Sequence, residues 1–234
     1  MNENGRNPDT KGRDFALIKD HTSFDEPPSI KEEFVRKLFH LIAFMIPAGY
    51  HVFQCSIEII ILAFLVILIL FIPIEFVRIR FPTFFLNRYV RRSEENKIAV
   101  YVPTTLVWLG LTLGAFWDFY PFEYAEAAIV STVVGDAAAA LIGKRFGTHQ
   151  LLRTQHKTVE GALAGFVVTW LISGGFLIWT DIQYGPLLGF GIAIVFLLTD
   201  LKENPPTDLL CDNILNPILG TVIAALIAAG LAKF

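Results

Sequence analysis

Long apolar segments alternate with short polar ones over most of this chain. A run of about 17 to 25 mostly apolar residues is long enough to cross the hydrocarbon core of a bilayer as a helix. Seven such segments can be drawn, at 34–53, 57–74, 98–117, 124–142, 161–180, 182–201 and 214–231. The pattern predicts an all-α, polytopic integral membrane protein with about seven transmembrane helices.

The sixth segment carries the weakest pattern. Gly185, Pro186, Gly189 and Gly191 interrupt its early half, and its cleanest apolar run ends at Thr199. A version with six spans therefore stays open at this stage.

Composition supports a membrane protein with one polar tail. Apolar residues make up 54% of the 234 positions and mean hydropathy is +0.54, which is too hydrophobic for an ordinary soluble domain. Residues 1–28 are polar, lack apolar periodicity and end in Pro27-Pro28, so they are typical of a flexible tail. We find no internal repeat, and we predict one transmembrane domain over 29–234.

Basic residues are segregated between the predicted connections. All of the 19 Lys and Arg residues except Lys233 fall on one side of a seven-span arrangement, while the connections 50–56, 117–126 and 180–185 contain none. Short cytoplasmic loops are enriched in Lys and Arg. We therefore predict a cytoplasmic amino terminus and tail. The net charge of −3 gives no indication of a nucleic-acid partner.

Asp136 is an acidic residue inside a predicted transmembrane span, and helix packing alone does not explain its presence. It lies in a fourth span made mostly of Ala, Gly, Ser and Thr, seven residues before Gly143. Small residues alone indicate a helix packed closely against its neighbours. A carboxylate within the hydrocarbon region, however, costs about 2.5 to 3.5 kcal/mol on insertion scales, so Asp136 indicates a functional site.

Other polar residues open three further spans from the same side. They are Arg36, Lys37 and His40 in the first span, Lys157, Thr158 and Glu160 at the fifth, and Asp212 and Asn213 at the seventh. Helix amino termini and basic side chains favour phosphate oxygens, while carboxylates hold the Mg²⁺ that accompanies nucleotide phosphates. The arrangement predicts phosphate chemistry at a membrane surface, with Asp136 and Asp212 as the metal pair.

Each of these signals also has a structural interpretation. Arg36 and Lys37 are typical of a positive-inside flank, and His40 of a packed imidazole. Thr158 is typical of a helix N-cap with Glu160 in the first turn, and Asp212-Asn213 of another cap.

A glycine-containing basic stretch follows Asp136. Gly143, Gly147 and Gly161 would let the backbone approach phosphates or turn sharply. The predicted nucleotide-binding set is Gly143, Lys144, Arg145, Gly147, Lys157, Thr158, Glu160, Gly161 and Asn213.

Four motifs in order carry a resemblance to a known family. They are Arg36-Lys37-x-x-His40 after the acidic Glu33, Gly135-Asp136-Ala137 with Gly143-Lys144-Arg145-Phe146-Gly147, the segment from Lys157 to Gly165, and Asp212-Asn213-Ile214 with Pro217. Together they resemble the CTP-dependent lipid-alcohol kinases, a family that includes dolichol kinase, phytol kinase and the CTP-dependent diacylglycerol kinase. The resemblance covers nearly all of the chain after the tail.

The chain departs from that family's pattern at two places. Arg91-Arg92-Ser93-Glu94-Glu95 resembles its Arg-x-x-Glu loop, but Ile98-Ala99-Val100-Tyr101 stands where Thr-Gly-Ala often follows. A Glu common in the sixth span corresponds to Asp200 or Glu203, and the sequence leaves that choice open.

The resemblance implies transfer of the γ-phosphate of CTP to a membrane lipid alcohol at the cytoplasmic face. Its implied catalytic residues are Asp136, Arg36, Lys37, His40 and Lys157, with Asp136 or His40 as the base and Mg²⁺ as cofactor. A polyprenol or shorter isoprenoid alcohol is the first choice of substrate, and diacylglycerol remains open. The implied location is the cell membrane, or the endoplasmic reticulum in a eukaryote.

Two other classes remain as alternatives. A cytidylyltransferase that makes a CDP-lipid usually carries a Lys-Asp pair before a late span, and here that pair occurs only as Lys19-Asp20. A transporter would use Asp136 as an ion site, but repeated halves and broken midplane helices, which favour transport, are not evident.

Overall fold

The computed structural model describes residues 44–81, 101–151, 157–201 and 212–233. These residues form helices joined by short connections, with one isolated bridge between Gln150 and Thr158. The helices are α1 Met45–Pro47, which continues as a π-helical turn Ala48–Val52, α2 Ile57–Arg80, α3 Tyr101–Phe116, α4 Phe122–Phe146, α5 Val159–Trp179, α6 Gly185–Asp200 and α7 Asp212–Leu231. The predicted all-α class is confirmed for this part of the chain.

Four of these helices are long and apolar enough to cross a membrane, namely Ile57–Arg80, Phe122–Phe146, Val159–Trp179 and Ile214–Leu231 within α7. The apolar helices Val102–Phe116 and Gly185–Asp200 are shorter. The first predicted span lies outside the described residues up to position 43, and so do the tail and the loop 82–100. The count of seven spans and the orientation remain predictions.

The carboxyl-terminal part of α2 differs from its predicted structure. The apolar pattern predicted a span that ends at 74, but the helix continues through Arg80. Arg78 is 1% exposed and donates to the Glu75 carboxylate one turn earlier, with Nη2 2.9 Å from Oε2. Because each charge satisfies the other, both residues are buried within the helix.

Helix α4 lies at the centre of a bundle with α5, α6 and α7. Ala125, Ala127, Ala128 and Ile129 are fully buried. A Cβ placed on Gly161 of α5 would lie 2.7 Å from the Ala139 carbonyl oxygen of α4, so the two backbones nearly touch. The small residues of α4 therefore serve close helix packing, as predicted.

The glycines that weakened the sixth segment lie where helices cross. Gly189 of α6 lies directly against the Gly174 backbone of α5. Gly185 lies against Leu177 and Ile178. Gly220 of α7 fits between Ala128 of α4 and Ile192 of α6, at 3.2 and 3.3 Å from a built Cβ. Glycine at these positions lets α6 approach α5 closely and lets α7 approach both α4 and α6.

One substitution tests this packing. Gly189→Ala places a methyl group against the Gly174 backbone and should lower the free energy of unfolding by about 1 to 3 kcal/mol. Gly175→Ala, on the same pair of helices, has nothing within 4 Å of its new methyl group and serves as the control. Thermal unfolding in detergent, followed by circular dichroism, measures both; equal melting temperatures for the two variants would contradict the crossing.

The connection between α3 and α4 is fixed by one tyrosine. The Tyr120 hydroxyl donates to the Leu111 carbonyl oxygen at 2.8 Å, and Gly114 leaves room for it. Burial raises the pKa of Tyr120 to about 12, so the hydroxyl keeps its proton at ordinary pH.

Candidate functional site

The candidate site lies at one end of the bundle, where α4 and α6 finish and α5 and α7 begin. We call this the basic end, because Lys144, Arg145 and Lys157 lie there. The antiparallel order of α4 to α7 brings together residues that are far apart in sequence.

Asp136 is half-buried in α4. We expected it seven residues before the end of its helix, but α4 continues to Phe146, ten residues beyond Asp136. At 1.5 Å per residue, the carboxylate therefore starts about 15 Å inside the helix end. Because an ionised carboxylate inside a membrane-spanning helix is costly, its position in the interior of α4 favours a functional role for Asp136.

Lys157, just before α5, forms a salt bridge with Asp200 at the end of α6. The Lys157 ammonium lies just before α5, and Nζ donates to Asp200 Oδ1 at 3.0 Å and to the Asp200 carbonyl oxygen at 2.7 Å. The two side chains are 29% and 13% exposed, so both are partly shielded from water. The ammonium also satisfies a carbonyl at the carboxyl end of α6, where a cation is favourable.

The salt bridge bears on the choice between Asp200 and Glu203. Asp200 lies at the basic end beside Lys157, whereas Glu203 is outside the described residues. We therefore include Asp200 in the candidate site.

Helix packing sets the level of Asp136 relative to Asp200. Gly135, the residue before Asp136, lies against Phe196 of α6, with a built Cβ 3.2 Å from the ring. Asp200 is one helical turn beyond Phe196 toward the basic end, about 6 Å along the axis. The two aspartates are thus about one turn apart in level.

Helix α7 brings the Asp212-Asn213 motif to the same end. The Thr199 hydroxyl of α6 donates to the side-chain amide oxygen Oδ1 of Asn216, which brings the start of α7 beside the end of α6. Asp212 and Asn213 are the first residues of α7, and their side chains are outside the described part. Their roles as metal ligand and nucleotide contact remain predictions.

Thr158 and Glu160 have structural partners. The Thr158 hydroxyl accepts from the Gly161 backbone N–H at 3.2 Å, so the interpretation as an N-cap is confirmed. The Glu160 carboxylate accepts from the Thr148 hydroxyl at 2.6 Å and lies 2.6 Å from His149 Nδ1. Glu160 thereby holds Thr148 and His149, just after α4, against the first turn of α5. A nucleotide role for Thr158 or Glu160 remains a prediction.

The glycines of the predicted nucleotide-binding set lie at the crossing of α4 and α5. A Cβ on Gly143 would lie 2.9 Å from the Thr158 hydroxyl, and one on Gly147 would meet the Gly143 carbonyl and the Thr158 side chain. Gly161 is part of the same contact. The structure therefore gives these glycines a packing role beside any contact with phosphates.

Helix α4 extends beyond its predicted end at 142 and includes Lys144 and Arg145. We expected them in a loop, but they form part of the last turn of α4, and both are exposed. The Arg145 guanidinium carbon lies 5.4 Å from the Phe146 ring centroid. Cations at a helix carboxyl end are favourable, which accounts for the longer helix.

Three predicted catalytic residues, Arg36, Lys37 and His40, lie outside the described residues. Within the described part, no group of three or more His, Cys, Asp and Glu side chains could hold a metal ion. The Asp136 and Asp200 carboxylates are nevertheless hard oxygen donors, about one helical turn apart in level. Such donors suit Mg²⁺, which takes one or two carboxylates and completes its shell with water and phosphate.

A second polar pair, which no motif in the sequence predicted, lies at the opposite end of the bundle. His51 Nε2 lies 2.8 Å from Oε2 of Glu126, and Glu126 is fully buried in α4. We expected both residues in connections outside the membrane. The available signal was Glu126 itself, an acidic residue directly before a long apolar run.

Comparison with known proteins gives two partial similarities. The chain is 26% identical over 115 residues to the Glycine max protein named probable phytol kinase 1, chloroplastic. That alignment covers 47% of this chain and 37% of the Glycine max protein. It is 26% identical over 124 residues to the Triticum aestivum protein named probable phytol kinase, chloroplastic, covering 50% of this chain and 41% of that one. About half of the chain is thus similar in sequence to two proteins named probable phytol kinases.

The similarity is limited in extent. The chain spans about two fifths of the length of the curated relatives it matches. No family model and no solved structure matches it.

Proposed function

We propose that this protein is a CTP-dependent kinase of an isoprenoid alcohol, which it converts to the lipid monophosphate with release of CDP. The observation that carries the proposal is the Lys157–Asp200 salt bridge at the end of the bundle that Asp136 also approaches. Apolar helices around a charged end suit a reaction between a lipid and a nucleotide. The similarity to two proteins named phytol kinase supports the same class.

Basic groups would hold the nucleotide. Lys157 lies at the amino end of α5, where the helix dipole also attracts phosphate, and Arg36 and Lys37 are proposed to add positive charge. Phosphoryl transfer depends chiefly on positioning and on neutralising charge over the transferred group. Asp200 would orient the Lys157 ammonium through the bond already present.

Carboxylates would hold the metal. We propose Asp136 and Asp212 as the Mg²⁺ ligands. Gly220 of α7 packs against Ala128 of α4, and equal spacings of eight residues along these antiparallel helices bring the backbones of Asp212 and Asp136 to one level. When bound, the ion neutralises charge on the nucleotide phosphates.

The reaction is a direct displacement. The oxygen of the lipid hydroxyl bonds to the γ-phosphorus of CTP as the bond from that phosphorus to the β–γ bridging oxygen breaks. CDP leaves with the bond electrons, and the hydroxyl proton passes to Asp136 or His40 acting as a general base.

The lipid would enter from the side of the bundle. Residues 137–140 of α4 are four consecutive alanines, all half-buried, and they leave little side-chain bulk beside Asp136. An isoprenoid tail can lie along such a surface with its hydroxyl near the carboxylate. By the positive-inside rule, the basic end would face the cytoplasm.

Nucleotide and alcohol panels test the proposal. Purified protein in detergent with Mg²⁺ is incubated with γ-labelled CTP, ATP, GTP or UTP and with phytol, geranylgeraniol, a long polyprenol or diacylglycerol in separate reactions. We expect label in an isoprenoid alcohol, and most with CTP. Label only in diacylglycerol would contradict an isoprenoid substrate and identify diacylglycerol as the acceptor. Equal transfer from ATP would contradict a preference for CTP.

A further inference from the structure

Two neutral polar side chains, Asn216 of α7 and Thr132 of α4, are buried inside the bundle, each only 2% exposed. Within the described residues, the Asn216 amide nitrogen Nδ2 and the Thr132 hydroxyl have no hydrogen-bond partner. A buried donor without a partner costs free energy, and such atoms are uncommon in folded proteins. Two of them in one bundle therefore indicate a group that binds between the helices and completes their hydrogen bonds.

Helix packing places the two side chains at one level. Gly220 of α7 lies against Ala128 of α4, with a built Cβ 3.2 Å from the Ala128 methyl carbon. Because the helices are antiparallel, Asn216, four residues before Gly220, is level with Thr132, four residues after Ala128. Residues four apart share a helix face, so both side chains line the contact between α4 and α7.

Helix α6 fixes the orientation of the amide. The Thr199 hydroxyl of α6 donates to Asn216 Oδ1, which occupies the amide oxygen on the α6 side. Gly220, on the same face of α7 as Asn216, contacts Ile192 of α6 as well as Ala128 of α4. This face of α7 thus lies between α4 and α6, and the two amide N–H groups are what Asn216 offers to a ligand there.

These donors lie about one helical turn deeper in the bundle than Asp136. Asp136 follows Thr132 by four residues, about 6 Å along the same face of α4. Side chains lean toward the amino end of their own helix, and α7 begins at the basic end whereas α4 begins at the opposite end. The Asn216 amide and the Asp136 carboxylate therefore lean toward a common level.

The polarity of this deeper level selects the kind of ligand. The basic side chains lie at the end of the bundle, whereas the deeper level holds one amide and one hydroxyl beside the apolar contact of Ala128, Gly220 and Ile192. Neutral donors suit a neutral oxygen and do not offset the charge of a phosphate. An apolar molecule that ends in one hydroxyl fits this environment better than a nucleotide does.

We infer that Asn216 binds the hydroxyl group of the lipid alcohol, with Thr132 as the polar side chain opposite it on α4. The inference rests on the proposed function, because it assigns the binding of the acceptor in that reaction. One Asn216 N–H donates to the hydroxyl oxygen, and the hydroxyl proton stays available to the general base. One lone pair of that oxygen then remains for attack on the γ-phosphorus.

Substitution of Asn216 gives the first test. Asn216→Leu removes both N–H donors at similar volume, and the Thr199 hydroxyl keeps the Val195 and Phe196 carbonyl oxygens as partners. We expect the KM for geranylgeraniol to rise about tenfold or more, because the hydroxyl loses its donor. The KM for CTP should stay within about twofold of the native value, since the nucleotide does not contact this level.

Thr221→Val is the matched control for this substitution. It also removes a buried polar group from α7, but the Thr221 hydroxyl already donates to the Pro217 carbonyl oxygen of its own helix, at 2.7 Å. We expect native KM values for both substrates in the control. A native KM for the alcohol in Asn216→Leu, or an equal rise in both KM values, would overturn the inference. If the leucine variant does not fold, Asn216→Ala gives the same comparison without added bulk.

Binding without nucleotide separates this inference from the proposed function. Tritiated geranylgeraniol is compared, on the native protein in detergent, with the matching hydrocarbon in which hydrogen replaces the hydroxyl group. We expect the native protein to bind the alcohol at least about tenfold more tightly, and Asn216→Ala to bind the two within about threefold of each other.

Two outcomes of the binding comparison are decisive. Equal binding of alcohol and hydrocarbon by the native protein would show that the buried amide bonds only an internal water, and would overturn the inference. A preference for the alcohol that is lost in Asn216→Ala, in a protein that phosphorylates no alcohol with any nucleotide, would support the hydroxyl-binding site and reject the proposed function.

Discussion

Asp136→Asn is expected to lower kcat for lipid phosphorylation by about 100-fold or more, the scale seen when one preorganised charge-stabilising group is removed. The substitution removes the negative charge and nearly preserves side-chain volume. Because Asp136 is half-buried in a helix packed on small residues, the fold should tolerate the amide. Initial rates with CTP and an isoprenoid alcohol measure the effect.

Stability must be followed in the same preparation. The control is Asp118→Asn, in the connection between α3 and α4, where φ is 58° and asparagine is well tolerated. We expect unchanged turnover for the control and similar melting temperatures for both variants. Turnover of Asp136→Asn within about twofold of the native protein would reject a metal or base role for this residue.

Lys157→Met is expected to weaken CTP binding by about ten- to 100-fold, which corresponds to roughly 1.4 to 2.8 kcal/mol. The substitution removes the proposed phosphate-binding ammonium and also leaves Asp200, 13% exposed, without that partner. Binding of labelled CTP and thermal unfolding separate the two effects.

The double variant Lys157→Met with Asp200→Met resolves the cause. Its stability should recover because no single carboxylate is left behind, while CTP binding should remain weak. Lys233→Met, an exposed change beyond α7, controls for general loss of positive charge. Full recovery of binding in the double variant would show that the salt bridge only supports the fold.

The sequence predicted the helices well because apolar length is a local property. Each described helix from α2 to α7 overlaps a predicted span, including α6 despite its glycines. Helix ends were less predictable, because each predicted span was ended at the first charged residues, whereas a helix can continue through them. Arg78 and Glu75 satisfy each other inside α2, and Lys144 and Arg145 lie in the last turn of α4, so both helices run past their predicted ends.

The pairing within the site depended on long-range packing. Asp200 was a candidate from resemblance, but its contact with Lys157, 43 residues earlier in the chain, follows from how α5 and α6 cross at Gly174 and Gly189. His51 and Glu126 are 75 residues apart, and no local pattern links them. Thr158 was predictable as a cap because capping uses residues three positions away.

The most direct test of the proposed kinase is which phosphate of CTP reaches the lipid. Parallel reactions with α-labelled and γ-labelled CTP, Mg²⁺ and geranylgeraniol or phytol would be resolved by thin-layer chromatography. We expect a lipid monophosphate labelled only from the γ position, with the α label in CDP. Phosphatidic acid should be inert. If it instead gives an α-labelled CDP-lipid and pyrophosphate while the alcohols stay unlabelled, the protein is a cytidylyltransferase and not a kinase.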